Sequence, residues 1–396
     1  MPTALPTPRI ATRPTTGGRR PREGASVKIA RIETVRVDVP LPGEGFRPAW
    51  GPGLLQRTWS NVLVKVFTDA GIVGYAAGHS FVSHIERSVA PYMIGRDPFA
   101  LEYHHQVLTN AGGPFFIDIA LWDIIGKACG QPLYKLFGGH RTRVKAYAAT
   151  CEVGTPERRA EDALRYLAEG FTALKLRLHN WTLAEDVALV TAVRRAVGDR
   201  MAILVDANQT FSIPSPGPWP RWTYQRAVAT ARALEELDVV WLEEPLWRYD
   251  YEVLGRLAAE VDIPIAGGEF NTGLHEFRAI LEYGAYDILQ ADPAYLGITQ
   301  TRKILAMAEA YGKSYAPHNG YNGLGVTACL HLVLAHPQGM YLEYLHDPPV
   351  APFQSFSALV TEPLTIDTEG YVHVTDKPGL GVELNEAIVE RYGTRG

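Results

Sequence analysis

Residues 201–207 read MAILVDA, residues 239–244 read VVWLEE and residues 263–269 read IPIAGGE. Each is a short aliphatic run that stops on a carboxylate: Asp206, Glu243 or Glu269. Apolar runs of this length, bounded by turn residues, are buried strands. The same rhythm continues outward in both directions, with VKAYAA from Val144, TALKLRL from Thr172, YDILQAD from Tyr286, KSYAPH from Lys313 and MYLEY from Met340. Amphipathic stretches such as PERRAEDALRYLAEG and ATARALEELD separate them. Eight strands at intervals of about 25 to 35 residues predict an α/β fold of the TIM-barrel type. An open doubly wound sheet is the alternative, disfavoured because no GxGxxG follows the first strand and the count reaches eight.

The barrel occupies residues 141–350. Ahead of it, residues 28–140 read as an α+β capping domain. KIARIETVRVDVPL from Lys28 and SNVLVKVFTDAGIVGYAAG from Ser60 alternate as antiparallel strands, with Asp69-Ala70-Gly71 as a turn. Helical periodicity follows from about Ser83 to Phe137, where Phe116, Ala120, Ile124 and Ala128 share a face and Gly130 supplies a stop. Residues 351–396, with LTIDTEGYVHV and PGLGVE, are expected to form a hairpin and tail that return to the cap. Residues 1–27 hold five prolines, five arginines and one acid, Glu23. They read as a flexible tail, since a transit peptide needs an apolar helical face that these prolines would break.

Composition removes several classes of function. The 396 residues are 46% hydrophobic and 20% charged, enough apolar material for a large core. No run approaches the roughly 20 apolar residues of a membrane span. Lys and Arg total 38 against 43 Asp and Glu, so no basic excess favours nucleic acid. Three scattered cysteines, Cys129, Cys151 and Cys329, suggest neither a disulfide framework nor a thiolate zinc site. A reducing, cytoplasmic location fits them.

Parallel strands bring their C-terminal ends to one mouth, the catalytic face of a barrel. Asp206, Glu243 and Glu269 end the third, fourth and fifth strands and therefore converge. Three clustered acids repel unless a cation neutralises them. An all-oxygen set favours a hard ion, Mg²⁺ over Zn²⁺. Asp292 ends the sixth strand and His318 the seventh, so a carboxylate stands beside an imidazole as a general-base dyad. On the second strand Lys175, Arg177 and His179 alternate with leucines, which places the cations on the interior face. Glu343 lies on the eighth strand. Each acid taken singly reads equally well as a helix cap or salt-bridge partner, and the successive spacing is what favours a site.

Lys175-x-Arg177, Asp206-Ala-Asn208, WLEEP with Glu243, GGE with Glu269, Asp292 and His318 together resemble the mandelate racemase subgroup of the enolase superfamily. ALWDIIGKACGQPLYKLFGG resembles that family's capping-domain helix and its turn into the barrel. The resemblance implies a modified (β/α)7β barrel under an α+β cap, one Mg²⁺ per subunit, and removal of the proton α to a carboxylate to give an enediolate. In that superfamily a His or Lys base takes the proton while Mg²⁺ stabilises the enediolate. Asp206, Glu243 and Glu269 map onto the metal ligands, Asp292 with His318 onto the base dyad, and Glu343 onto an acid that bonds the substrate carboxylate. It also implies a homo-oligomer, dimer or octamer. The sixth strand lacks the lysine of the muconate-cycloisomerase branch.

One position departs from the family. Where the racemase carries its second base, this chain has Arg177, whose pKa above about 12 makes it a poor base. Dehydration of a sugar acid to a 2-keto-3-deoxy acid needs only His318 and is the expected reaction, with Lys175 and Arg177 as electrostatic partners. A racemase, epimerase or lactone cycloisomerase is the alternative, with His179 as a second base. A barrel that binds an acid without turning it over is the remote one. Asn208, His179, Arg47, Trp50 and His79 are the candidate substrate contacts. FSIPSPGPWPRW after the third strand is expected at the mouth, as a wall or a rigid insertion.

Overall fold

The computed structural model describes residues 27–210 and 216–395. The expected N-terminal tail lies, apart from Val27, outside the described residues, as do positions 211–215 of the Pro-rich segment after the third barrel strand.

The chain begins with an antiparallel sheet of β1 (Ile29–Pro40), β2 (Thr58–Thr68) and β3 (Val73–Gly78). Helices Leu101–Asn110 and Ile117–Cys129 follow. The second of these packs against β3, and it stops at Gly130, whose φ of 63° no β-carbon favours. Its approach to the sheet is close: a β-carbon on Gly74 would lie 2.1 Å from the Ala120 carbonyl oxygen.

The barrel strands are β4 (Arg143–Ala149), β5 (Ala173–Arg177), β6 (Ala202–Asp206), β7 (Val239–Glu243), β8 (Ile265–Gly267), β9 (Ile288–Leu289), β10 (Ser314–Tyr315) and β11 (Tyr341–Leu345). All eight run parallel in the order β10-β9-β8-β7-β6-β5-β4-β11. A bridge between Tyr315 and Gly339 closes the ring. Among the described residues seven α-helices fill the crossovers, the last being Gly323–Ala335, so the eight strands that the rhythm predicts form the (β/α)7β barrel that the resemblance implies. Several strands are shorter than their apolar runs. KSYAPH forms strand only at Ser314–Tyr315, because beyond it the chain turns across the mouth.

Two short strands end the fold. β12 (Tyr371–His373) pairs antiparallel with β4, and β13 (Gly393–Thr394) pairs antiparallel with β1 of the cap. Leu174, Leu176 and Leu178 join the main core against the helices, leaving the intervening Lys175 and Arg177 to face inward. A second apolar cluster fills the barrel with Tyr147, Leu204 and Trp241 and continues into the cap through Leu41, Phe46 and Trp59. The cap loop is therefore packed into the barrel mouth.

Candidate active site

Strand ends deliver the polar groups, and hydrogen bonds and ion pairs fix most of them. Lys175 is fully buried on β5, with Nζ 2.8 Å from Glu243 Oε1 and 2.9 Å from Glu343 Oε1. Burial opposes its charge, but the two carboxylates outweigh burial and raise its pKa, so Lys175 stays an ammonium. Arg177 pairs with Asp206 and donates from Nε to Thr150 O at 2.8 Å. Trp50, from the cap loop, lies over its guanidinium at 5.3 Å.

Asn208 organises the second strand's remaining imidazole. Its Nδ2 donates to Asp206 Oδ2 at 2.9 Å, so its Oδ1 must accept, from Arg177 Nη1 at 3.3 Å and His179 Nε2 at 3.0 Å. His179 consequently carries its proton on Nε2. Burial pushes its pKa down to about 4, which keeps the ring neutral. Its Nε2 is committed to Asn208.

The dyad forms where β9 and β10 end. Asp292 caps the helix Pro293–Ala310 through Oδ1, which accepts from Ala294 N at 2.7 Å. Its Oδ2 lies 2.6 Å from His318 Nδ1 and accepts from Gly320 N at 3.2 Å. Asn319 sets the tautomer. Its Oδ1 accepts from Tyr321 N at 2.7 Å, so its Nδ2 donates to His318 Nε2 at 2.9 Å. In the neutral ring Nδ1 thus holds the proton against Asp292, and the Nε2 lone pair, on the cavity side, accepts from Asn319. Burial opposes protonation of His318, but Glu269 and Asp292 outweigh it and push its pKa up to about 9. Glu269, 3.7 Å from Nε2, is the largest of those pulls, and a cation bound there weakens it.

Five carboxylates, Asp206, Glu243, Glu244, Glu269 and Glu343, are buried around the mouth against the cations Lys175 and Arg177. Burial and mutual repulsion show in their acidities. Glu243 is pushed up to about 7, while Glu244 and Glu269 are raised well above the ordinary carboxylate range. Both oxygens of Glu244 lack a hydrogen-bond partner. As the side chains stand, no three metal-ligating groups among the described residues close round a common point, because Lys175 and Arg177 hold Glu243 and Asp206. The chemistry of the donors still fits a hard divalent ion: oxygen ligands only, an excess of buried negative charge, and a carboxylate with nothing to bond.

The cavity between barrel and cap is lined by Arg177, Asn208, Glu269 and His318 below, and by Trp50 and Trp59 above. Arg47, His79 and His179, expected as substrate contacts, do not line it; His179 is buried beside Asn208 and Trp219. Arg47 is exposed, with its backbone N–H bonded to Glu152 Oε1 at 2.7 Å, and His79 packs on Tyr321 from outside. The sequence reading missed Trp59, Phe270, Asn319 and Tyr321. Asn319 and Tyr321 directly follow His318, a proximity that could have suggested them. Asn208, Glu244 and Tyr321 have φ of 45°, 46° and 66°, strained values for residues with a β-carbon, and all three lie at this mouth.

Residues 158–388 match the family profile described as Enolase C-terminal domain-like, and residues 54–138 match Mandelate racemase / muconate lactonizing enzyme, N-terminal domain. The D-galactonate dehydratase of Pectobacterium atrosepticum is 31% identical, over 92% of this chain and 94% of its own. A 3,6-anhydro-alpha-L-galactonate cycloisomerase of Streptomyces coelicolor is 34% identical, over 91% and 98%. The structure of L-talarate/galactarate dehydratase from Salmonella typhimurium LT2, liganded with Mg and L-lyxarohydroxamate, superposes with a TM-score of 0.81 at 26% identity, covering 97% of each chain. Strand order, dyad and sequence agree: the chain belongs to the mandelate racemase/muconate lactonizing enzyme family of the enolase superfamily.

Proposed function

We propose that the protein dehydrates a sugar acid to its 2-keto-3-deoxy product with the help of Mg²⁺. The observation that carries this reading is the His318–Asp292 pair on the cavity wall, Nδ1 to Oδ2 at 2.6 Å, with a charged Arg177, held by Asp206, where a racemase needs its second base. Asp206, Glu243 and Glu269 would hold the ion, which supplies positive charge where negative charge gathers on the substrate carboxylate.

His318 Nε2 takes the proton from carbon 2, and Asp292 keeps the resulting imidazolium in place. The same Nε2–H then protonates the hydroxyl leaving carbon 3. Water departs, and the enol so formed becomes the 2-keto acid. One imidazole therefore serves both steps, whereas racemisation needs a base on each face. Arg177 stays charged beside Asp206, and His179, whose Nε2–H is given to Asn208 and whose Nδ1 is buried, does not line the cavity, so neither serves as that second base. Lys175, between Glu243 and Glu343, keeps positive charge next to the reacting carboxylate. Sugar-acid dehydratases among the relatives support the reading. A reducing cytoplasm suits the three free cysteines, and no described helix is long and apolar enough to cross a membrane.

The relative in Streptomyces coelicolor supports a second reading, an isomerisation. Mass spectrometry of products from a sugar-acid library incubated with Mg²⁺ separates the two. Dehydration gives a keto acid lighter by one water. A product of unchanged mass without a keto group overturns the dehydratase reading.

A further inference from the structure

The cavity has a polar floor and an aromatic lid. On the floor the cations are committed: Arg177 to Asp206, Thr150 and Asn208, and His318 to Asp292. Around the rest of the cavity stand Trp50 and Trp59 from the cap and Phe270, Tyr321 and Leu345 from the barrel, with Asn319 as the neutral polar group. Arg177 and His318 are the only Lys, Arg or His among the described residues lining the cavity, and Arg248, over the Phe270 ring at 5.8 Å, does not line it.

The two charged candidates on the cap turn elsewhere. The Arg47 side chain is exposed, while the neighbouring Ala49 N–H bonds Cys151 O at 2.8 Å, which pins this loop with Trp50 inward. His79 meets the outer side of Tyr321, ring centroids 4.7 Å apart, and lines a separate surface hollow with Arg36 and Ser60. Burial lowers its pKa, so it is neutral near pH 7.

We propose that this site takes acids with a single carboxylate and an uncharged far end, aldonic acids rather than aldaric diacids. The inference rests on the sugar-acid reading above and narrows it. A second carboxylate pressed against indole and phenyl faces loses its hydration and finds no cation in return. The hydroxymethyl end of an aldonate instead lays C–H groups on Trp50 and Trp59 and leaves hydroxyls within the reach of an amide such as Asn319.

The test uses the full chain with Mg²⁺ in D₂O and matched pairs of five- and six-carbon aldonates and aldarates. NMR follows both keto-acid formation and deuterium exchange at carbon 2. We expect kcat/KM at least about 100-fold higher for the aldonates. Turnover or exchange of an aldarate within about tenfold of its matched aldonate overturns the inference, as does silence of every aldonate. Keto acid from aldarates alone sinks the inference and leaves dehydration standing. Exchange of aldonates without keto acid sinks dehydration and leaves the single-carboxylate preference standing.

Discussion

At the scale of single residues, the proton inventory of the two imidazoles decides the chemistry. His318 presents a lone pair to the cavity, whereas His179 Nε2 spends its proton on Asn208. Replacing His318 by Asn therefore removes both proton transfers, and we expect kcat to fall by about 10³-fold or more with little change in Tm. His179→Ala is expected to keep kcat within about tenfold, because the loss is one bond to Asn208, which Asp206 and Arg177 still hold. Steady-state kinetics on the two variants checks both. Loss of activity only in His179→Ala would transfer the base to that residue. These chemical groups were legible in the sequence because each ends an apolar run, and parallel strands must bring such ends together. Trp59, on β2 of the cap, was not, since no spacing records how closely the cap approaches the barrel mouth.

At the scale of elements, the cap reaches into the barrel through one carboxylate. The helix Pro293–Ala310 is broken at Gly297, φ 72° and ψ 156°, and so has two starts. Asp292 caps the first. Asp118, from the cap helix Ile117–Cys129, caps the second, accepting from Thr299 N at 2.7 Å and Thr299 Oγ1 at 2.8 Å. Glycine is required at the break, because a β-carbon on Gly297 would fall 2.8 Å from that of Asp118. The cap helix was legible from its periodicity, but its partner nearly half the chain away was not, because Asp118 reads locally as an ordinary first-turn acid. Burial raises the Asp118 pKa to about 6, against the bonds from Thr299. A folded-state pKa above the ordinary carboxylate value means the folded chain holds the extra proton. This group's contribution is thus most favourable below about pH 4 and is lost as pH rises through 6. The loss is on the order of 3 kcal/mol. About 2 kcal/mol of that loss falls between pH 4.5 and 7.5, so in saturating Mg²⁺ wild type is expected to drop by about 2 °C relative to Asp118→Asn over this range. A Tm difference that does not vary with pH would sink this assignment.

At the scale of the whole molecule, charge and architecture meet at the barrel mouth. The chain has a formal charge of −5; its first 27 residues hold five arginines and one acid, which leaves −9 on the rest. Some of that excess is concentrated where a closed barrel and a packed cap exclude water, around Asp206, Glu243, Glu244, Glu269 and Glu343. Eight strands and a cap could be read from the sequence because periodicity survives without knowledge of contacts. That Lys175 and Arg177 would pair with the predicted metal ligands could not, since the alternation places them on the same face but gives no partner. The pairing has a consequence for stability. Two cations face five buried carboxylates, and burial and repulsion push Glu243, Glu244 and Glu269 towards the protonated form in the metal-free protein, a cost that a divalent ion relieves. Binding to the folded state alone stabilises by RT ln(1 + [Mg²⁺]/Kd), about 2.7 kcal/mol at one hundred times Kd. For a chain of this length that is a rise in Tm of about 3 °C over an EDTA-treated sample, growing with the logarithm of concentration. Glu269→Gln, which removes one charge from the set, is expected to raise the Tm of the metal-free protein and to blunt the Mg²⁺ increment. A wild-type Tm indifferent to millimolar Mg²⁺ would show that Lys175 and Arg177 already satisfy these carboxylates, and would remove the ion from the mechanism.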